Sequence, residues 1–125
     1  MIAEKPNGER EMSAGPEPLW AVTPDKIEEA VRRIAEAAKP LKVILFGSRA
    51  RGSASPESDL DLLVIEREVP DRYVEMIRLN GVLRGLIIAA DILVIGVREF
   101  EERSQMPGSV YFDARREGKV VYESV

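Results

Sequence analysis

The sequence predicts an α/β domain of the α+β kind, a small mixed β-sheet flanked by helices. Three observations carry that expectation. Short runs rich in β-branched residues recur at 42–46, 60–65 and 91–95, stretches with helical spacing separate or follow them, and Pro or Gly stands at most of the boundaries. At 125 residues the chain is most simply one domain with a core of its own.

Residues 1–19 are rich in Pro, Gly and Glu and show no periodicity, so they are expected to form a disordered tail ahead of a domain at 20–125. Trp20 is the expected first anchored residue. A helix should follow, with Thr23 as N-cap, Pro24 in the first turn, and Asp25, Glu28 and Glu29 near its positive end. Ile27, Ala30, Val31, Ile34 and Ala38 share one face of it, and Pro40 stops it.

Residues 42–46 read as a buried strand ending at a glycine, and residues 60–65 as a second. A helix is expected over 72–84, with Met76, Leu79, Leu83 and Leu86 on one face, Gly81 weakening its middle and Gly85 as its cap. The apolar run over 87–97 supplies a third strand. A charged helical stretch near 99–103, a turn at Pro107-Gly108, a short helix from about Ser109 to Gly118 and a last strand at 119–123 complete the order.

Composition removes whole classes of chemistry. With 0 cysteines there are no disulfides or thiolate metal sites, and a cytoplasmic location is compatible. With 0 histidines, Ser-His-Asp and Cys-His nucleophiles and His-ligated zinc are excluded. Metal chemistry must then use carboxylate oxygens, which favour magnesium, manganese or calcium. A net charge of −4 opposes general nucleic-acid binding, and no apolar run approaches the ~18 residues of a membrane span.

The candidate site lies in FGSRARGSASPESDLDLLVI, residues 46–65. Asp59 and Asp61 are two apart, so on a strand they leave the same face with Cα atoms about 6 to 7 Å apart. Unpaired they repel each other, and a shared divalent cation converts that repulsion into binding. Asp91 precedes Ile-Leu-Val-Ile just as Asp61 precedes Leu-Leu-Val-Ile, so if the two strands are neighbours a third carboxylate reaches the same place. Gly47 and Ser48 follow a strand, where backbone amides and a hydroxyl can cradle phosphate oxygens. Arg49 and Arg51 bring two guanidinium groups beside that cradle. Taken singly, each feature is as well explained by a turn, a solvated strand end or surface arginines. Together they bring an anion, cations and carboxylates to one spot, which packing does not explain.

Gly47-Ser48 followed by Asp59-x-Asp61 resembles the signature of the DNA polymerase β-type nucleotidyltransferase superfamily. The stretch GSRARGSASPESDLDLLVI is similar to its minimal nucleotidyltransferase branch, as is SVYFDARREGKVVYE near the end. The likeness runs from about Lys26 to Tyr122. It implies that Gly47 and Ser48, with Arg49 and Arg51 beside them, hold the triphosphate of a nucleotide such as ATP. It implies magnesium, two ions in all, on Asp59 and Asp61, with Asp91 completing the triad as ligand or base. The implied reaction moves a nucleoside monophosphate to an acceptor and releases pyrophosphate. Members of that branch are often antitoxins of toxin–antitoxin pairs, partnered by a helical HEPN-type toxin, and some add AMP to a tyrosine of it. The long helical acceptor domain of aminoglycoside nucleotidyltransferases has no counterpart here, so a protein acceptor is expected. The alternatives are a nucleotide-binding antitoxin that acts by contact alone and a small-molecule transferase. An oligomer is compatible with all three.

Overall fold

The structure is a computed structural model that describes residues 19–55 and 58–125. The disordered tail expected over 1–19 lies, except for Leu19, outside those residues. Leu19 and Trp20 are 76% and 53% exposed, so Trp20 is not the anchor expected of it; Ala21 and Val22 are the first buried residues.

Helix α1 (Pro24–Ala38) starts as its sequence asks, with the Thr23 hydroxyl accepting from the Lys26 amide at 3.3 Å. A cap of this kind is worth about 1 kcal/mol. Ala30 and Ile34 are fully buried along its inner stripe, and the helix ends at Lys39, in the left-handed conformation, just before buried Pro40. Next come β1 (Lys42–Phe46), the single-turn α2 (Ser48–Arg51), β2 (Leu60–Glu66) and α3 (Arg72–Val82). Then follow β3 (Ala90–Gly96), α4 (Val97–Arg103), α5 (Val110–Glu117) and β4 (Lys119–Glu123).

Three boundaries differ from expectation. α2 was legible only as a turn, because four residues are too few to show periodicity. α3 runs through Gly81 but stops at Val82 with Leu83 as its cap, so Gly85, at φ 88°, belongs to the following turn and not to the helix end. β2 starts at Leu60 as expected but runs one residue further, to Glu66, and Asp59, read as a strand residue together with Asp61, lies just outside it.

The four strands form one mixed sheet in the order β3-β2-β1-β4. β1 pairs antiparallel with β2 and with β4, while β2 and β3 are parallel, joined by a crossover through α3. Alternation along the strands sends their side chains into two cores. Val43, Leu45, Leu62, Val64, Ile92 and Val94 pack under α1 and α3. Ile44, Phe46, Leu63, Ile65 and Ile95 pack under Phe100 of α4 and Ala114 of α5. The central strand β2 is thus covered on both faces, which is why 62–65 is an unbroken apolar run. Among the described residues, no helix is long and apolar enough to cross a membrane.

Candidate active site

The parallel register of β2 and β3 sets Asp61 directly opposite Asp91, ahead of the pairs Leu63–Leu93 and Ile65–Ile95. The strands are neighbours, which meets the condition on which the repeated Asp-x-Leu-Val-Ile pattern brings a third carboxylate to the site. By alternation both aspartates share the face that Leu63, Ile65 and Ile95 present to α4 and α5. Asp59 has the same parity, although it precedes the strand and is not held by its ladder. The apolar positions deeper along this face are buried, whereas Asp59 and Asp91 are exposed and Asp61 is half-buried. The acids therefore form a rim where the sheet opens to solvent.

Gly47 closes that rim. Phe46 pairs with Asp61 across β1 and β2, so the residue leaving β1 meets the Asp61 side chain at once. Gly47 has φ 76° and ψ −156°, a region open to glycine almost alone. A Cβ built there would overlap Oδ2 of Asp61. Backbone conformation and lack of space thus demand glycine independently, and the turn is packed directly against a site carboxylate. Ser48, half-buried, begins α2 beside it.

The two arginines behave differently. Arg49 turns back along the chain, its Nη2 donating to the carbonyls of Ser58 at 2.8 Å and Ser55 at 3.2 Å. Arg51 lies 3.7 Å from Glu117 of α5, half-exposed. Burial raises the pKa of Asp61, and the charges of Asp91 and Asp59 raise it further, against the opposing pull of Arg51 and Arg49. The protein's own cations are therefore outweighed at Asp61.

All the candidate ligand atoms are carboxylate oxygens, a set that fits a hard divalent cation such as magnesium. The excess negative character around Asp61 fits one as well. Among the described residues, no three acidic side chains stand as a ready-made metal cluster, so the carboxylates are grouped by the sheet register without being closed into a cage.

Sequence reasoning did not single out Ser55, Ser58 or Glu117. The first two announce themselves only as a serine-rich turn. Ser55 N donates to Ser58 Oγ at 3.0 Å, and Ser58 N to the Ser55 carbonyl at 3.0 Å. Glu117 is brought near Arg51 by tertiary packing alone. Elsewhere, a hollow of about 390 Å³ between α1 and β4 is lined by Pro24, Ile27, Val31 and Val121. It carries none of the acids and cations gathered at the rim.

The nucleotidyltransferase domain family matches residues 24–121. Two Methanocaldococcus jannaschii proteins, each named a putative protein adenylyltransferase, are similar. One is 44% identical over 48 residues, 38% of this chain and 31% of that protein, so the chain spans under a third of it. The other is 27% identical over 76% of this chain and 97% of its own length. Among solved structures, a putative nucleotidyltransferase from Sulfolobus solfataricus superposes with a TM-score of 0.56 at 22% identity, covering 79% of this chain and 78% of its own. A toxin–antitoxin crystallised with AMP-PNP gives 0.54 at 19% identity, covering 82% and 75%. The structural likenesses concern the fold, the same mixed sheet with helices. The family match spans most of the chain and includes every residue of the acidic rim, the glycine turn and the arginines: the chain belongs to the nucleotidyltransferase domain family.

Proposed function

We propose that the chain transfers a nucleoside monophosphate, AMP from ATP, to a hydroxyl of a partner protein, as the antitoxin of a toxin–antitoxin pair. The observation that carries this reading is the register that sets Asp61 against Asp91, with the Gly47 turn packed on the same carboxylate. Phosphate cradle and carboxylates are there parts of one small surface. The names of the M. jannaschii relatives support a protein acceptor, and the toxin–antitoxin neighbour supports the pairing. A HEPN-type toxin is the partner we propose.

In this reading Gly47 admits the phosphates close to the backbone, Ser48 offers its hydroxyl, and half-exposed Arg51 balances their charge. Asp59, Asp61 and Asp91 would hold magnesium, as one ion or two, which supplies charge neutralisation at the phosphates. The acceptor oxygen bonds to the α-phosphorus as the bond to pyrophosphate breaks, and its proton passes to Asp91. Asp91 suits that role because it is exposed on the edge strand, where an acceptor can approach. Labelled ATP incubated with the chain and its co-expressed partner should label the partner, seen as one added AMP in its intact mass. An Asp59→Asn chain that labels it equally well would overturn the reading.

A contact-only antitoxin is favoured by one observation. Tyr73, Val74 and Ile77, on one side of α3, are 79%, 60% and 70% exposed, an apolar patch of the kind a protein partner covers. Asp59→Asn and Asp61→Asn chains that still neutralise the toxin in full would establish occlusion; binding without neutralisation would establish catalysis.

A further inference from the structure

Sequence reasoning placed Arg49 with Arg51 at the phosphates. The structure gives their side chains different partners, and we infer that Arg49 is a positioning residue, which aims Asp59 by holding the carbonyl of the residue before it. The inference rests on the reading of Asp59 as a metal ligand.

Asp59 differs from the other two acids. Asp61 and Asp91 sit on paired strands, so sheet hydrogen bonds orient them. Asp59 precedes β2 and has no such ladder. Its orientation depends on Ser58, whose carbonyl accepts from Arg49 Nη2 at 2.8 Å. The same nitrogen donates to the Ser55 carbonyl at 3.2 Å. Ser55 and Ser58 are also bound to each other, through Ser55 N to Ser58 Oγ, Ser58 N to Ser55 O, and a 3.2 Å contact between their hydroxyls. Arg49 thereby ties both Ser55 and Ser58 to α2. One side chain therefore links the phosphate turn, which it follows by two residues, to the ligand at the far end of the connection.

This role divides the labour of the two arginines. Arg51 is the more exposed of the two, and its contact with Glu117 is a loose 3.7 Å. It can turn to an incoming anion with little loss. Arg49 could swing its Nη2 to an anion only by releasing the two carbonyls, which would then lack this donor. A lysine keeps the charge, but its ammonium stops one atom short of the place Nη2 occupies, so it reaches the two carbonyls poorly while substituting tolerably in a purely electrostatic role.

The test uses the whole chain and manganese as the metal probe, titrated calorimetrically in the absence of nucleotide, with ATP kinetics measured separately. Arg49→Lys and Arg49→Gln should each weaken manganese binding by about 10- to 100-fold, the usual effect of removing a group that orients a ligand. KM for ATP at saturating metal should stay near wild type, whereas Arg51→Gln should raise it. In the Asp59→Asn background, Arg49→Lys should weaken the metal no further, because both changes act through one side chain. Two Arg49 variants are used so that misfolding of one still leaves the other to be read. If Arg49→Lys binds manganese like wild type while Asp59→Asn does not, or if it raises KM for ATP alone, Arg49 is a phosphate ligand and the inference fails. If Asp59→Asn itself binds manganese normally, the reading of Asp59 fails, and the inference with it.

Discussion

The two ends of β2 pose the same electrostatic problem and solve it differently. At the start of the strand Asp61 faces Asp91 and lies near Asp59. At its end Glu66 meets Glu75 of α3. Arg78 answers the second pair from within the cluster. It grips Glu75 with Nε at 2.9 Å and Nη2 at 2.8 Å, and its Nη1 reaches the Ala37 carbonyl of α1 at 3.1 Å. Glu75 is accordingly drawn down to about 2, first by Arg78 and then by Glu66. Among the described residues, no guanidinium is seen to take such a grip at the Asp61 end. Arg49 is turned to Ser55 and Ser58, and Arg51 toward Glu117, so both act on Asp61 only at a distance. A carboxylate pair that the fold neutralises is part of the scaffold. One that the fold leaves in excess, on an open rim, fits the cation-binding role proposed for it.

The contrast breaks first in catalysis. Asp59→Asn and Asp61→Asn should each lower nucleotidyl transfer on the order of 10³-fold, since metal charge stabilisation is worth several kcal/mol. Glu66→Gln should leave the rate near wild type. Comparable losses from both ends of the strand in a labelled-ATP assay would erase the distinction. Gly47→Ala comes next. At φ 76° and ψ −156° a side chain adds roughly 1 to 3 kcal/mol of backbone strain, and its Cβ must displace the Asp61 carboxylate as well. Thermal unfolding should show the destabilisation, and transfer should fall with it. A variant that keeps full activity would mean that the turn does not shape the site.

How much of this was legible beforehand follows the same division. The strands, α1 and its Thr23 cap were readable because periodicity and capping are local signals. The meeting of Asp61 and Asp91 was readable for a rarer reason: two strands repeat one pattern, and a parallel pair in register places like beside like. The aim of Arg49 was not readable, because composition shows a charge and not its direction. Only the fold reveals that carbonyls of Ser55 and Ser58 lie within its reach. Trp20 was expected to be the first anchored residue, yet it stands 53% exposed. Glu75 and Arg78 stand at i,i+3 on one helix, a pairing the sequence offers, but the meeting of Glu66 with them left no trace there, because the crossover brings a strand end to that helix.

Stability should also separate the two ends. Asp61 has a raised pKa, so its ionisation opposes folding once pH exceeds the ordinary value of 3.8. Asp61→Asn removes that opposition and should stabilise the metal-free chain at neutral pH, even as it lowers transfer. Magnesium should narrow the gap by stabilising wild type more than the variant. Denaturant midpoints with and without magnesium measure both effects, and an Asp61→Asn chain less stable than wild type in the absence of metal would contradict the account.

The smallest expected effect belongs to Glu66. Oε2 of Glu66 is buried with no hydrogen-bond partner, and a proton there lets the group donate to Glu75. Burial, then Glu75, pushes its pKa from 4.5 up to about 8 despite Arg78. The folded chain therefore holds a proton that the unfolded chain releases above pH 4.5, so stability falls as pH rises from 4.5 towards 8 and levels off beyond. Solvent reaches part of this group, and once that screening is allowed for the loss is about 1 kcal/mol. A glutamine side chain does not titrate and retains donors towards Glu75, so Glu66→Gln should flatten the curve in that window and leave it unchanged below. Curves that stay parallel from pH 5 to pH 8 in matched urea titrations would show that Arg78 already neutralises both carboxylates. The two ends of β2 would then differ even more sharply, one fully compensated by the fold and the other left charged.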